Sequence, residues 1–258
     1  MWHIVSFSGG ADSTYLCFYL IENGYPLDEA VMFDAGWEFP QMYAHIEKMR
    51  AYLEHHGVRF TVIKPSKSFD YLMFEKEVHE KNGEIHYGYS WCGSFGCRWG
   101  TTEKIKALDT YAKSKKDAIV YVGIAADEMH RLEKERKPFK RFPLVENGII
   151  ESDCLIGCYE HGYDWGGLYE QLDRVSCMYC GQKNLKELRN IYFHMPDVWQ
   201  GLRERQSKTE RPYKGEGKSV FQLEARFEFE KERLAEGLSI TNKEFFSLLA
   251  NRLKEVRL

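Results

Sequence analysis

Ser8-Gly9-Gly10-Ala11-Asp12-Ser13-Thr14 joins an apolar run, His3–Ser8, to a segment whose apolar positions Leu16, Leu20 and Ile21 recur at helical spacing. The two glycines open backbone angles closed to other residues, and a helix starting at Ser13 or Thr14 gains a hydroxyl cap. Such a turn aims several backbone N–H groups and the positive end of a helix dipole at one point. Phosphate is the group that point would hold, with the hydroxyls of Ser8, Ser13 and Thr14 as added donors. A plain capped turn uses the same glycines, but Asp12, set between hydroxyls, favours the phosphate reading.

Cysteines form the second candidate group. Cys154 and Cys158, at i, i+4 after a Ser152 that can cap a helix, share one helix face. Cys177 and Cys180 form a C-x-x-C pair in a turn ending at Gly181. The set reads C-x3-C-x18-C-x2-C, enough thiolates for one metal centre. Zinc and an iron–sulfur cluster accept the same ligands, and spacing does not separate them. Cys17, Cys92 and Cys97 stand outside the set.

Both groups need elements to position them. The first half alternates apolar runs with helical patterns, the signature of parallel strands joined by crossover helices. Strands are expected at His3–Ser8, Ala30–Asp34, Val58–Lys64 and Ala118–Ile124, with a helix at Gln41–His55. The intervening Ser66–Lys116 should hold a helix near Phe69–Val78 and then a Gly- and aromatic-rich binding loop, Tyr87–Thr102. From Ser152 the chain turns to helices, loops and cysteines, and Phe221–Leu234 and Phe245–Val256 have charged helical spacing. The expected division is an α/β domain at 1–150 and a cysteine-rich, metal-binding helical region at 151–258.

Thirty-six basic residues against 39 acidic ones leave a formal charge of −3, so no global basic field points to nucleic acid. An aromatic content of 15% excludes intrinsic disorder. No apolar run approaches the roughly 18 residues of a membrane span, and the first residues lack the basic and apolar regions of a signal peptide. A cytoplasmic location is expected, where the seven cysteines would be thiols or metal ligands.

Residues 8–13 resemble the S-G-G-x-D-S pyrophosphate loop (PP-loop) of the adenine nucleotide alpha hydrolase superfamily; no Gly-Lys-Ser/Thr follows, so this is not a Walker loop. Arg98-Trp99-Gly100-Thr101-Thr102 with Lys104, Gly123-Ile124-Ala125-Ala126-Asp127-Glu128 and Arg141-Phe142-Pro143-Leu144 resemble the phosphoadenosine phosphosulfate (PAPS) reductase family. So do Asp164-Trp165-Gly166-Gly167-Leu168-Tyr169 and Arg174-Val175-Ser176-Cys177. The resemblance spans roughly residues 3–200 and rests on motifs that co-occur in chain order. It implies a doubly wound, mostly parallel α/β fold with an adenine nucleotide, ATP or PAPS-like, at the carboxyl ends of the strands. Ser8–Thr14, Gly123 and Arg141 would bind it. Asp34, ending the second strand, can reach a ribose or a metal, or is a surface turn residue. Asp127 and Glu128 are Mg²⁺ or substrate contacts, or helix-start acids satisfying a dipole. Asp12, Asp127, Arg98 and Cys97 are the catalytic candidates. Lys104 and Arg131 should border the crevice, and Lys134–Lys140 is expected to be an exposed loop.

Sulfur-transfer members of the superfamily carry a [4Fe-4S] cluster, which favours iron over zinc at Cys154, Cys158, Cys177 and Cys180. Relatives have a cysteine where this chain has Gly100, leaving Cys97 or Cys92 as a replacement ligand or reactive thiol; with Cys97 as a ligand, Cys154 drops out. No cysteine follows Cys180, unlike the C-terminal nucleophile of sulfonucleotide reductases. The expected function is therefore adenylation with pyrophosphate release, coupled to sulfur transfer. Sulfonucleotide reduction using Cys97 or a thioredoxin-like partner is the alternative. A non-catalytic nucleotide- or nucleic-acid-binding module with structural zinc is the third. Expected partners are a sulfur donor, a nucleic-acid acceptor and a second copy of the chain, with no membrane. Arg203, Arg205, Lys208 and Arg211 would contact nucleic acid or form a solvated helix face.

Overall fold

A parallel strand covered by helices on both sides has no polar face to show, and the apolar runs of the first half build such strands. The computed structural model describes residues 1–92, 97, 100–132 and 137–256. In chain order come β1 (Trp2–Phe7), α1 (Ala11–Glu22), β2 (Glu29–Phe33), α2 (Pro40–His55), β3 (Arg59–Ile63) and α3 (Phe69–Phe74). A hairpin of β4 (Glu77–His79) and β5 (Ile85–Tyr87) precedes α4 (Gly100–Lys113), β6 (Ala118–Val122) and β7 (Lys140–Arg141). Then follow α5 (Pro143–Glu146), α6 (Glu151–Glu160), α7 (Leu168–Gln171), α8 (Leu185–His194), α9 (Pro196–Gln206), α10 (Val220–Ala235) and α11 (Lys243–Lys254).

The main sheet has the order β3-β2-β1-β6-β7, with every neighbour parallel. Val5 of β1 lies opposite Ala30 of β2 and Tyr121 of β6. The order therefore reverses between β1 and β6, where a doubly wound sheet opens a crevice at its carboxyl edge. This is the α/β class expected, with a helical C-terminal region. On one face Ile4, Val31 and Val120 pack with Ala112 of α4.

The chain divides into two compact units. The first comprises Met1–Ser66, Gly100–Glu170 and Arg174–Cys177, the second Lys67–Trp99, Gln171–Asp173 and Met178–Leu258. The boundary expected at 150/151 thus falls inside the first unit. Within the second, Ile191, Trp199, Leu202, Leu223 and Phe227 are buried where α8, α9 and α10 meet. Glu230 is buried there too, and it is clasped by Arg189 and Arg226 at 2.7 Å each, the pairing a desolvated carboxylate requires. Asn184 and Ser219 form capping boxes for α8 and α10. α3 stops four residues before Val78, because Glu77–His79 pairs with Ile85–Tyr87 instead.

Candidate functional site

The loop after β1 differs from expectation in one respect: α1 begins at Ala11, two residues before Ser13. Gly10 takes the extended cap position without a side chain. Ser13, now inside the first turn, folds back to donate to Gly10 O (3.1 Å) and accept from Ser8 N–H (3.1 Å), with Ser8 Oγ at 3.0 Å. Gly9 has φ +81°, and a Cβ there would lie 2.7 Å from Met42 Sδ, so both backbone and packing require glycine. Gly123, just past β6, lets that strand approach the start of α1, since a Cβ would lie 2.9 Å from Ser13 N. The first helical bond runs from Thr14 N–H to Gly10 O. The N–H groups of Gly10, Asp12 and Ser13 have no hydrogen-bond partner among the described residues. These are the orphan donors of a helix start, converging where an anion is stabilised.

Asp164–Tyr169 braces this loop. Trp165, Gly166 and Gly167 have φ of +53°, +58° and +80°, a left-handed run that two of the three meet as glycines. Asp164 Oδ1 accepts Gly166 N–H at 3.0 Å to fix the turn. It places the Trp165 indole N–H on Gly9 O (2.6 Å) and the Tyr169 hydroxyl on Ala11 N–H (3.0 Å). Behind Trp165, the His45 ring stacks at 4.4 Å between centroids. His45 Nε2 pairs with Thr14 Oγ1 at 3.0 Å, and burial lowers the His45 pKa to about 3, leaving the ring neutral. Thr14 is fully buried, so its hydroxyl ties α1 to α2. Its expected place among the ligand donors is not where the side chain points.

Ser8 and Ser13 also border a cavity of about 740 Å³ at the β1–β6 edge, within the size range of small-molecule sites. Gly123, Lys104, His130, Arg131, Lys137 and Lys140 are among its lining residues. Lys137 is ion-paired with Asp109, and Lys140, buried, lies 3.5 Å from the same carboxylate. Lys140 is therefore packed into the wall and Lys137 half-buried, whereas Pro138 between them is exposed; 134–136 lie outside the described residues. Sequence reasoning missed Lys137 and Lys140 because a Lys/Glu-rich run hides which lysine turns inward.

Acids gather near the loop as well. Asp12 Oδ1 is buried without a hydrogen-bond partner. Burial first, then Glu128 and Glu151, push the Asp12 pKa up to about 7, against a lowering contribution from Arg131. Asp127 Oδ1 accepts Glu151 N–H (3.1 Å) at the start of α6, and Glu128 is ion-paired with Arg131. Asp34 Oδ1 accepts from Gly36 N–H (2.8 Å) and Tyr43 O–H (2.9 Å), which makes it the closing residue of its turn. Arg141 Nη1 donates to Pro138 O and Lys140 O at 2.8 Å each, holding the β7 approach. Arg98 lies outside the described residues.

Cys154 and Cys158 are buried where α6 packs on α1, and Cys158 Sγ donates to Ala11 O at 3.6 Å. Burial and the nearby Asp12 raise both thiol pKa values, so this packing favours protonated sulfur. α6 is capped from Asp153, which accepts Ile150 N–H (3.2 Å), and Ser152 sits inside the helix. Cys177 lies 3.9 Å from Glu38 Oε1, while Cys180 belongs to the second unit. There the Cys92 and Cys97 thiols are hydrogen-bonded, and a Cβ on Gly181 would lie 3.1 Å from Cys92 Sγ. Among the described residues no three His, Cys, Asp or Glu side chains are disposed to hold a metal ion.

An all-parallel sheet whose order reverses beside a glycine loop with unpaired N–H groups defines the class: an α/β nucleotide-binding protein of the PP-loop type. Within that class, the phosphoadenosine phosphosulfate reductase domain matches residues 3–142, more than half of the chain, and the chain belongs to that family. No curated protein matches the chain. The match covers the loop, the cavity and Asp127, and it ends before Trp165, Tyr169 and the four cysteines of the expected metal centre.

Proposed function

We propose that this chain binds ATP or a related adenine nucleotide with its phosphate tail over Ser8–Ser13 and transfers the adenylyl group, releasing pyrophosphate. The observation that carries the reading is the junction of β1 and α1, where the N–H groups of Gly10, Asp12 and Ser13 have no partner among the described residues and Ser8 and Ser13 border a cavity also lined by Lys104, Arg131 and Lys140. Donors and cations fixed in advance around a reacting phosphorus stabilise the charge that develops as an acceptor oxygen attacks and pyrophosphate leaves. The partnerless Asp12 Oδ1 fits a divalent cation, since Mg²⁺ takes one or two carboxylates and completes its shell with water and phosphate oxygens. Asp12 would hold it, with Asp127 and Glu128 in electrostatic reach. Bound there, Mg²⁺ would neutralise charge on the phosphate tail. Among the described residues no group of three His, Cys, Asp or Glu is placed to hold a metal cluster, and no step is routed through one.

The family itself favours a second reading, reduction of a sulfonucleotide in the same pocket. In that reading the attacking thiol would be Cys97, which like Cys92, Cys177 and Cys180 is not buried, or would belong to a partner protein. One pair of assays separates the two: pyrophosphate release from ATP, and sulfite release from a sulfonucleotide with thioredoxin. Adenylyl transfer predicts the first; sulfite without pyrophosphate would replace it with the second. Failure to bind ATP, with neither product formed, would remove both.

A further inference from the structure

Tyr169 comes from a motif that the family match does not reach, yet its hydroxyl sits on the phosphate loop. Tyr169 Oη accepts the Ala11 N–H at 3.0 Å, which covers the first donor of α1. The phenol proton has no acceptor among the described residues. Its ring is fixed edge-on against Trp165, with centroids 4.8 Å apart, and Trp165 is itself anchored on Gly9 O. The hydroxyl therefore cannot swing away without breaking the brace of the loop. Gly10 has no Cβ, and the point a Cβ would fill lies 3.8 Å from both Tyr169 Oη and Ser8 Oγ. Two hydroxyls thus flank a bare stretch of backbone.

We propose that Tyr169 is a positioning residue for the phosphate tail: pinned by the Ala11 N–H, it donates its own proton to an anionic oxygen seated over Gly10. The assignment rests on the nucleotide-binding reading above and adds a donor that the loop alone lacks. A phenol accepting from a backbone N–H is a better donor in turn, because hydrogen bonds in a chain polarise one another. It also shifts the anion seat from Ala11 toward Gly10 and Ser8.

The test is calorimetric titration of wild type and Tyr169→Phe with inorganic pyrophosphate, ATP and adenosine. A hydrogen bond to a charged group sets the expected loss for pyrophosphate and ATP at about 10- to 100-fold, with adenosine affinity unchanged. Equal losses for all three ligands would reveal a structural role only, and unchanged pyrophosphate affinity would leave Tyr169 without a role. Tighter binding by the variant would mean that the phenol plugs the loop. Each of these overturns the assignment while the nucleotide reading stands; a wild type that binds neither ATP nor pyrophosphate overturns both. Should Tyr169→Phe not fold, a Raman difference spectrum of the wild type with pyrophosphate decides. One tyrosine gaining donor character supports the proposal, and no tyrosine change contradicts it.

Discussion

Asp12 and His45, both packed around the start of α1, are buried ionisable groups whose pH effects have opposite sign. The Asp12 carboxyl titrates near 7 in the fold, above its ordinary 3.8, so the folded chain holds a proton that the unfolded chain has lost. Its contribution to stability is therefore greatest in acid and declines as pH rises from about 4 to 7. Asp12→Asn should remove that decline and be more stable than wild type at pH 8 by about 1–3 kcal/mol, measured by urea unfolding at several pH values. His45 runs the other way. Its pKa falls from 6.5 to about 3, so its contribution is complete above 6.5 and is lost as pH drops toward 3. His45→Asn should show a shallower acid limb than wild type in the same series. Asp12 was legible in the sequence from its place between hydroxyls. His45 was not, because nothing local marks a helix histidine as facing Thr14 across the core. Thr14 itself was read as a ligand donor for the same reason: a one-dimensional motif does not show which side of a helix start is buried.

Elements place these residues by close approach. Gly123 brings the end of β6 within contact of the α1 backbone, and that backbone cannot yield as a flexible side chain would. Gly123→Ala should cost about 1–3 kcal/mol by overpacking and weaken pyrophosphate binding together with it, because displacing Ser13 spoils the donor geometry. Trp165→Phe keeps an aromatic ring against His45 but removes the donor to Gly9 O; a melting temperature lower by a few degrees, about 1 kcal/mol, is expected from thermal denaturation. The four apolar parallel strands, β1, β2, β3 and β6, were legible to within two residues, whereas the two-residue β7, Lys140–Arg141, carries no apolar run and was not. The start of α1 was misplaced because a cap was sought in a side chain, while Gly10 caps by backbone conformation alone. α3 was overextended because the pairing of Glu77–His79 depends on residues downstream.

At the scale of the whole molecule, the division into units could not be read along the chain, because the second unit is assembled from three separated segments. A composition shift near residue 150 marks where helices and cysteines begin, not where contacts thin out. The α6 helix, with Cys154 and Cys158, packs against α1 in the first unit, to which Cys177 also belongs, while Cys180 belongs to the second. A ligand of the loop should stabilise the first unit by mass action, by about 2.7 kcal/mol at a hundredfold excess over Kd, visible as a rise in its thermal transition with ATP.

The most direct measurement is amide NMR of the ¹⁵N-labelled chain during titration with ATP. If the phosphate tail seats at the β1–α1 junction, the N–H signals of Gly10, Asp12 and Ser13 move first and farthest, and inorganic pyrophosphate alone reproduces most of the shifts. Saturation with either compound that leaves those three amides unmoved, or that shifts only residues remote from Ser8–Thr14, would contradict the account at its root.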